Sequence, residues 1–526
     1  LGGTSVGSEE TWLDYRGMMV KQSSLLLNLK LDCMTMKTVS RFGWLAILIG
    51  LFAQCHQPDP EPALIWNRQD ALTVANVRSL SGPNLPGSIQ ITDSGKEGLF
   101  RAIPGDESST DNTGTVLVTA NGIRYKREYT GNASAVWFGI TPDVDDIGPA
   151  LQAAVNAVDV LIIPDGTYKQ RKSVLLRSGM TVRGNPGKVV IELPNSYSSF
   201  VYLTRPQDSP QPLENIMIDG LSWNVTSQED TQVSTIYIDG PTVNNLTIQN
   251  CSSRDEAAKD STNWLTLKIQ SGKTASNILV TNNDVRAKRI ACEIFNHDNY
   301  GVYAGKNITV QNNYFHDSWF GISLSGPMDG LTVDKNRIVN CSFYGIEVAG
   351  AARNVKITNN TFEGTFSRFL AGSNDGSGEG QGGGAVLTGT EITGNSTVGR
   401  VTGGIQLFNG GPTKFANNNF NMTGMLELGH STTGGTFTGN VIQTTFDRAV
   451  VCDNVANNTF ANNTLSNKPS AGNYATFISY GNRAVNNVLR NNTLAKGEGS
   501  GTYYLSLSGG STIASGNIDE NGNPIP

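Results

Sequence analysis

From residue 160 to the C-terminus, apolar and polar positions alternate in short runs such as Ile308-Thr309-Val310 and Ile322-Ser323-Leu324-Ser325. A period of two puts Ile, Val and Leu on one face and polar residues on the other, which predicts strands with one buried side. The runs recur in a fixed order. From Asn307 to Asn360 the chain reads NITVQNNYFHDSWFGISLSGPMDG, then LTVDKNRIVNCSFYGIEVAGAARN, then VKITNN: apolar strand, paired asparagine, second strand, aromatic pair, Gly-Ile strand and glycine turn. The asparagines set the period, 23 residues from Asn313 to Asn336 and 24 from Asn336 to Asn360, within the range of stacked solenoid coils. No coil of this length buries its own core. Equivalent strands of successive coils must therefore pair in parallel, and the fold class is all-β, a single-stranded parallel β-helix. An asparagine repeated at one corner stacks on its counterpart as a side-chain amide ladder. That position runs through Cys251, Asn283, Asn313, Asn336, Asn360 and Asn395 and on to Asn517.

Other periodicities mark the start of the solenoid. Ile147, Leu151, Ala154, Val155 and Val158 share one helical face, with Asp145 or Asp146 as N-cap, and such a helix would close the open end of the first coil. Residues 63 to 140 instead carry alternating strands such as Thr115 to Val118 and Ile123 to Lys126 about an Asn121-Gly122 turn, which predicts a small β region before the solenoid. The longest ladder interval, between Asn360 and Asn395, holds the glycine-rich loop Gly372 to Gly380.

Composition narrows the function classes. Only 16% of the 526 residues are charged, the net charge is -6 and the pI is near 5.4, which argues against a nucleic-acid groove. Cys251, Cys292, Cys341 and Cys452 fall on inward or corner positions of separate coils and read as small buried hydrophobes, not as a disulfide framework. Cys55 is different. Lys37 and Arg41, the apolar run Gly43 to Ala53 and then Gln54-Cys55 have the layout of a secretory signal, and the run is too short to span a bilayer. Leu51 to Cys55 resembles the lipobox of bacterial lipoproteins, which implies lipidation of Cys55, a signal over 36–54, a proline-rich tether over 55–62 and an extension over 1–35 outside the mature protein. The implied location is the bacterial cell envelope, with contact to the membrane through a lipid anchor only, or secretion if lipidation fails.

Two further stretches carry resemblances. Gly95 to Arg101, Gly114 to Arg127 and Trp137-Phe138-Gly139 resemble the lead-in segment before tailspike-like and pectate-lyase-like β-helices. The block from the helix through Ile163-Pro164-Asp165-Gly166-Thr167-Tyr168 to Ser178-Gly179-Met180-Thr181-Val182 resembles the start of the pectate-lyase superfamily of polygalacturonases, lyases, epimerases and tailspikes. That implies a right-handed β-helix over 141–526 and a polysaccharide substrate or ligand. The catalytic motifs of the named enzymes are missing: there is no Asn-Thr-Asp strand, no Gly-His-Gly and no Arg-x-Pro-x-x-Arg.

Candidate chemistry collects on the outward side of the strand before the glycine turn. Alternation predicts one column Tyr237, Lys268, Glu293, Ser323, Glu347, Val386, Gln406, Glu427 and a second Asp239, Gln270, Phe295, Ser325, Ala349, Thr388, Phe408. Glu293 and Glu347 would stand two coils apart, about 9 to 10 Å between backbones. That is near the upper end of the separation for an inverting pair of carboxylates, about 6.5 to 9.5 Å. His297, Asp298 and Tyr300 follow Glu293, and Arg286, Lys288 and Arg289 precede it. Lys268 or His297 could instead abstract a proton beside a uronic carboxylate held by Arg289, giving β-elimination. Trp319 and Phe343, with Phe320 and Tyr344, could stack on sugar rings. Each group also has a structural reading: Lys268 with Glu293 as a cross-strand ion pair, Glu347 as a surface carboxylate, His316 as a structural residue, one ring of each aromatic pair as core. The expectation is a polysaccharide hydrolase or lyase; the alternatives are a noncatalytic glycan-binding or adhesive protein, or a tailspike-like structural protein. No cofactor is evident. Four scattered histidines do not make a zinc site, while calcium could bind through Asp239, Asp298 or Asp329, although no carboxylate-rich loop is present.

Overall fold

A computed structural model of the protein describes residues 63–194, 211–228, 233–258, 262–296, 301–373, 387–408, 410–429, 432–468, 475–496, 504–508 and 511–526. The signal, the tether and Cys55 lie outside the described residues, as do His297, Asp298, Tyr300, Val386 and most of the Gly372 to Gly380 loop.

The alternating runs form strands that stack coil upon coil. Among the described residues they build three parallel sheets of 15, 14 and 11 strands, each strand bonded to its counterparts in the coils before and after. One coil passes through Gly305–Gln311 in the first sheet, Tyr314–His316 in the second and Phe320–Ser325 in the third; the next passes through Met328–Asp334, Arg337–Val339 and Tyr344–Ala349. Their register pairs Ile308 with Leu331, Phe315 with Ile338 and Ile322 with Ile346. All six are fully buried, so the inward positions stack like on like down one continuous core. In the C-terminal coils this core becomes an aromatic column, Phe362, Phe369, Phe420, Phe415, Phe437, Phe460 and Phe477, with successive ring centroids 4.6 to 6.2 Å apart. Each such ring buries roughly 1.5–3 kcal/mol of transfer free energy, to which each ring pair adds about 0.5–1.5 kcal/mol.

The paired asparagines divide two tasks. The first of each pair takes a left-handed conformation, with φ of 56° at Asn282, 55° at Asn312 and 56° at Asn359, and turns the chain from the first sheet to the second. Asparagine and glycine tolerate that region best, and glycine replaces it at Gly394, Gly439 and Gly516. Lys335 adopts it too, at φ 54°. The second asparagine points inward. Asn313 Nδ2 donates to Asn336 Oδ1 at 2.9 Å and to the Val280 carbonyl at 3.0 Å, and its backbone N–H donates to the same Oδ1 at 3.0 Å. This pattern repeats from Asn283 to Asn517. Cys251 starts the series, its N–H donating to Asn283 Oδ1. A second, shorter ladder runs through Asn458 and Asn487 at the corner between the third and first sheets.

Glycine has a packing task in the third sheet. A Cβ on Gly321 would lie 2.6 Å from the Gly345 carbonyl oxygen, and one on Gly345 would lie 2.5 Å from that of Phe369. The recurrent Gly-Ile step is therefore where neighbouring backbones approach too closely for a side chain.

The first solenoid strand is Ala133–Ser134, paired with Val160–Ile162, somewhat earlier than the boundary at residue 141. Helix α1 (Val74–Ser79) belongs to the region before it, and helix α2 (Gly148–Ala157) covers the end of the first coils with Leu151, Ala154 and Val155 buried. Ile147, not an aspartate, occupies the N-cap of α2; the Asp146 carboxylate sits one residue earlier and accepts from the N–H of Gly148 and of Arg171. The preceding β region is a five-stranded sheet in which Ala63–Leu72 pairs in parallel with Asn84–Ile91 and the remaining pairs are antiparallel. Its expected hairpin forms, with Val118 opposite Arg124 across a loop longer than Asn121-Gly122 alone. Arg127 fastens this sheet to the solenoid. Its buried guanidinium donates to the carbonyls of Gly114, Glu97 and Lys96 and lies 4.6 Å from the Phe100 ring centre and 4.4 Å from that of Trp137. Burial pulls its pKa down to about 10, so the cation persists at neutral pH.

Candidate functional site

Three outward columns cross the third sheet. In register they read Asn263, Ile290, Phe320, Tyr344, Arg368; then Tyr237, Thr266, Glu293, Ser323, Glu347, Ala371, Gln406, Glu427; then Asp239, Lys268, Phe295, Ser325, Ala349, Ser373. The middle column keeps Glu293, Ser323 and Glu347 together as expected. Lys268 is a correction: it stands between Asp239 and Phe295, one column away, and Thr266 is the neighbour of Glu293. The cause is local. The inward pair Trp264 and Leu265 has its counterpart in Ala291 and Cys292 of the next coil, so the strands are in step. The extra residues lie after Lys268, where Thr266 is six residues from Gly272 while Ser323 is three from Gly326, and a count back from the glycine turn lands one column too far. Gln270 accordingly lies beyond the strand, donating to Asp239, which also accepts from the Tyr237 hydroxyl at 2.8 Å. Ala371, not Val386, continues the middle column, because Arg368–Ser373 is the third-sheet strand of that coil and the insertion follows it. Thr388 pairs with Arg353 in the first sheet.

The floor of this face is recessed. Asn263, Thr266 and Ser323 are buried although they point away from the solenoid core. Glu293 lies among them, its Oε2 accepting from Thr266 Oγ1 at 3.1 Å and from Asn263 Nδ2 at 3.3 Å. Burial pushes the Glu293 carboxyl pKa up, against the opposing pull of the Thr266 hydrogen bond and the Arg289 charge. Two strands along, Glu347 Oε2 accepts from Ser323 Oγ at 2.7 Å.

Beside the floor, at the turn from the second sheet to the third, Arg289, Trp319 and Phe343 occupy equivalent positions of three consecutive coils. Trp319 is 41% exposed and stacks on Phe343 with centroids 5.2 Å apart. Phe320 is buried edge-on beneath Trp319, while Phe343 and Tyr344 are both half-buried. Against the expectation of a core ring in each pair, none of the four rings joins the core cluster; Phe320 is buried within the outward face.

A buried carboxylate that the sequence did not single out, Asp255, fixes this turn. It accepts from the Thr262 hydroxyl and the Lys288 backbone N–H, and the Arg289 N–H donates to the Thr262 carbonyl at 2.9 Å. Arg286 forms ion pairs with Asp255 at 3.7 Å and Glu256 at 3.3 Å. Arg286 and Lys288 therefore serve the turn. His316 belongs to the second sheet, gripped by Asp317 at 2.8 Å and Asp284 at 3.2 Å and stacked on Tyr314. Burial works to lower its pKa, but the two carboxylates lift it above the ordinary value. Asp239 and Asp329 lie on different sheets and coils, and Asp329 binds Arg353 and Asn354. They do not converge into a calcium site.

The fold is thus a right-handed parallel β-helix. The sequence matches the family described as a right handed beta helix region over residues 224–420. Residues 72–130 match the phage tail protein small four-stranded beta-sheet domain, which leaves the edge strand Ala63–Leu72 almost wholly outside that match. No curated protein matches the chain. Among solved structures, the chain is similar to the A-module of a mannuronan C-5 epimerase from Azotobacter vinelandii, at 14% identity and TM-score 0.44 over 75% of this chain and all (100%) of that one. It is also similar to tailspike protein 3 of bacteriophage CBA120, at 16% and 0.46 over 79% and 65%, and to the surface adhesin PfbA of Streptococcus pneumoniae, at 14% and 0.43 over 74% and 93%. Likenesses of this extent carry no argument about activity.

Proposed function

We propose that the outward face of the third sheet hydrolyses a glycosidic bond in a polysaccharide with inversion of configuration, Glu293 acting as general acid and Glu347 as general base. The observation that carries this reading is the recessed Glu293–Ser323–Glu347 column beside the exposed Trp319–Phe343 stack. A carboxyl raised by burial keeps its proton to higher pH than an exposed one and can deliver it to the leaving oxygen. Two strands away, at about 9 to 10 Å between backbones, Glu347 has room to take a proton from a water that attacks the anomeric carbon as the bond to the leaving oxygen breaks. Ser323 orients Glu347 through its hydroxyl, and the ring stack offers an apolar platform to a sugar face.

β-Elimination is less well supported. Lys268 stands in the neighbouring column, and the Arg289 charge already acts on Glu293. The exposed ring stack also favours a second reading, a noncatalytic glycan-binding face. An export signal over 36–54, ahead of Cys55, would carry either face to glycans outside the cell.

The test is a panel of xylan, dextran, alginate and polygalacturonate, assayed for new reducing ends and, by NMR, for the anomer first released. Glu293→Gln and Glu347→Gln should each lower turnover by roughly 10²–10⁴-fold without loss of fold. Full activity in either variant would remove this assignment, and glycan retention without new reducing ends would leave the binding reading.

A further inference from the structure

We infer that the same face carries a second saccharide subsite, three to five coils beyond Glu347, built from Phe446, Arg448, Glu427, Asp453 and Tyr480. The inference rests on the reading that a glycan chain lies along the third sheet. The strand Val450–Asp453 is four strands past Tyr344–Ala349 and five past Phe320–Ser325, roughly 19 and 24 Å along the solenoid. Phe446 precedes that strand on the same turn from second to third sheet that presents Trp319 and Phe343 in earlier coils, and it is 38% exposed. Aromatic surface is therefore offered twice along one rim, with an interval between.

The groups around Phe446 differ from a solvated surface in their convergence. The Arg448 guanidinium carbon lies 5.8 Å from the Phe446 ring centre. Asp453 pairs in register with Tyr480, whose ring is also 38% exposed. Glu427 stands in the middle column, next to Val451, and meets Arg368, which reaches along the face to 3.7 Å from it. The Tyr480 phenol is lifted above its ordinary pKa by burial and by the charges of Asp453 and Glu427, with Arg448 opposing.

Such a set suits a neutral sugar. A sugar hydroxyl both donates and accepts, carboxylates only accept, guanidinium groups only donate, and the rings supply an apolar face for the pyranose C–H surface. A chain that follows the coil spacing would touch Trp319 and Phe343 near the carboxylates and Phe446 and Tyr480 at its far end. Two linked contacts then act through effective concentration, so affinity depends on chain length.

The experiment uses the full chain carrying Glu293→Gln, which holds substrate without turning it over, and oligosaccharides size-fractionated from whichever panel polymer retards it in affinity electrophoresis. Affinity should rise about tenfold once the oligomer is long enough to span about five coils, as two aromatic contacts of this size allow. Phe446→Ala and Tyr480→Ala should cancel that rise and leave short oligomers within about twofold, with unchanged melting temperature. Length-independent affinity, or equal weakening of short and long oligomers, overturns the subsite while leaving catalysis by Glu293 and Glu347 standing if the unmodified protein cleaves the panel. Weakening confined to long oligomers, in a protein that releases no reducing ends, keeps the subsite and removes the hydrolase. Retardation by no polymer of the panel removes both.

Discussion

The asparagine ladder and the carboxylate column are both polar stacks along the solenoid, the first buried and the second half-buried, and they behave in opposite ways. In the ladder each amide carries a donor and an acceptor, so Asn313 is satisfied by Asn336 and Asn336 by Asn360. The stack closes on itself and leaves no charge to solvate. Glu293 and Glu347 can only accept when ionised, so each borrows a donor, Thr266 or Asn263 for one and Ser323 for the other. Desolvation remains uncompensated at Glu293 and appears as a raised pKa. A self-complementary stack is a structural element; a stack of acceptors is poised to move protons.

The sharpest way to break this contrast is to make one stack imitate the other. Asn336→Asp puts an acceptor-only group into the ladder, stranding the Val310 carbonyl and opposing Asn360 Oδ1, and should cost about 4 kcal/mol at neutral pH by denaturant melting. Its buried carboxyl would have a raised folded pKa, so the loss should shrink on acidification. A loss under 1 kcal/mol would mean the ladder does not depend on amide complementarity.

The converse substitution, Glu293→Gln, should stabilise the protein. The folded state holds the Glu293 proton above the ordinary value of 4.5, where the unfolded chain has lost it, so stability falls as pH rises from there. The variant should therefore be the more stable near neutrality and equal to the parent well below pH 4.5, by about 1.4 kcal/mol per unit of displacement. A gap that stays constant from pH 3 to 8 would show that the carboxyl is not desolvated.

The smallest effect tests the partner of the ladder. Lys335→Asn replaces a lysine in left-handed backbone by the residue used at Asn312 and Asn359 and should add about 1 kcal/mol, read as a higher melting temperature. No gain would mean that the ion pair from Lys335 to Asp334 at 3.4 Å already offsets the strain.

Much of the scaffold is legible in the sequence because a ladder position tolerates few residues, so Asn283, Asn336 and Asn517 identify themselves. The same residues give the coil period, and with it Glu293, Ser323 and Glu347 in one column. The outer face is harder to read, since its register depends on where a strand leaves its corner. Extra residues between Lys268 and the glycine turn at Gly272 put Lys268 one column away, and an insertion after Ser373 hid Ala371. Thr266 and Asn263 carry no motif, because a hydroxyl or an amide acquires its role only from the carboxylate packed against it. The Asn457-Asn458 and Asn486-Asn487 pairs, by contrast, announce the second ladder in the same way as the first.

Because each ladder amide bonds only to the coils beside it, the chain can gain or lose a whole coil and heal the seam by joining the next asparagine to the last. The carboxylate pair has no such freedom, since it needs Ser323 as a one-coil spacer. Duplication or deletion of a coil between Glu293 and Glu347 would therefore reset the chemistry of the face at almost no expense to the fold. A lineage of such proteins can be expected to keep its spine and change its trade by arithmetic in units of one repeat.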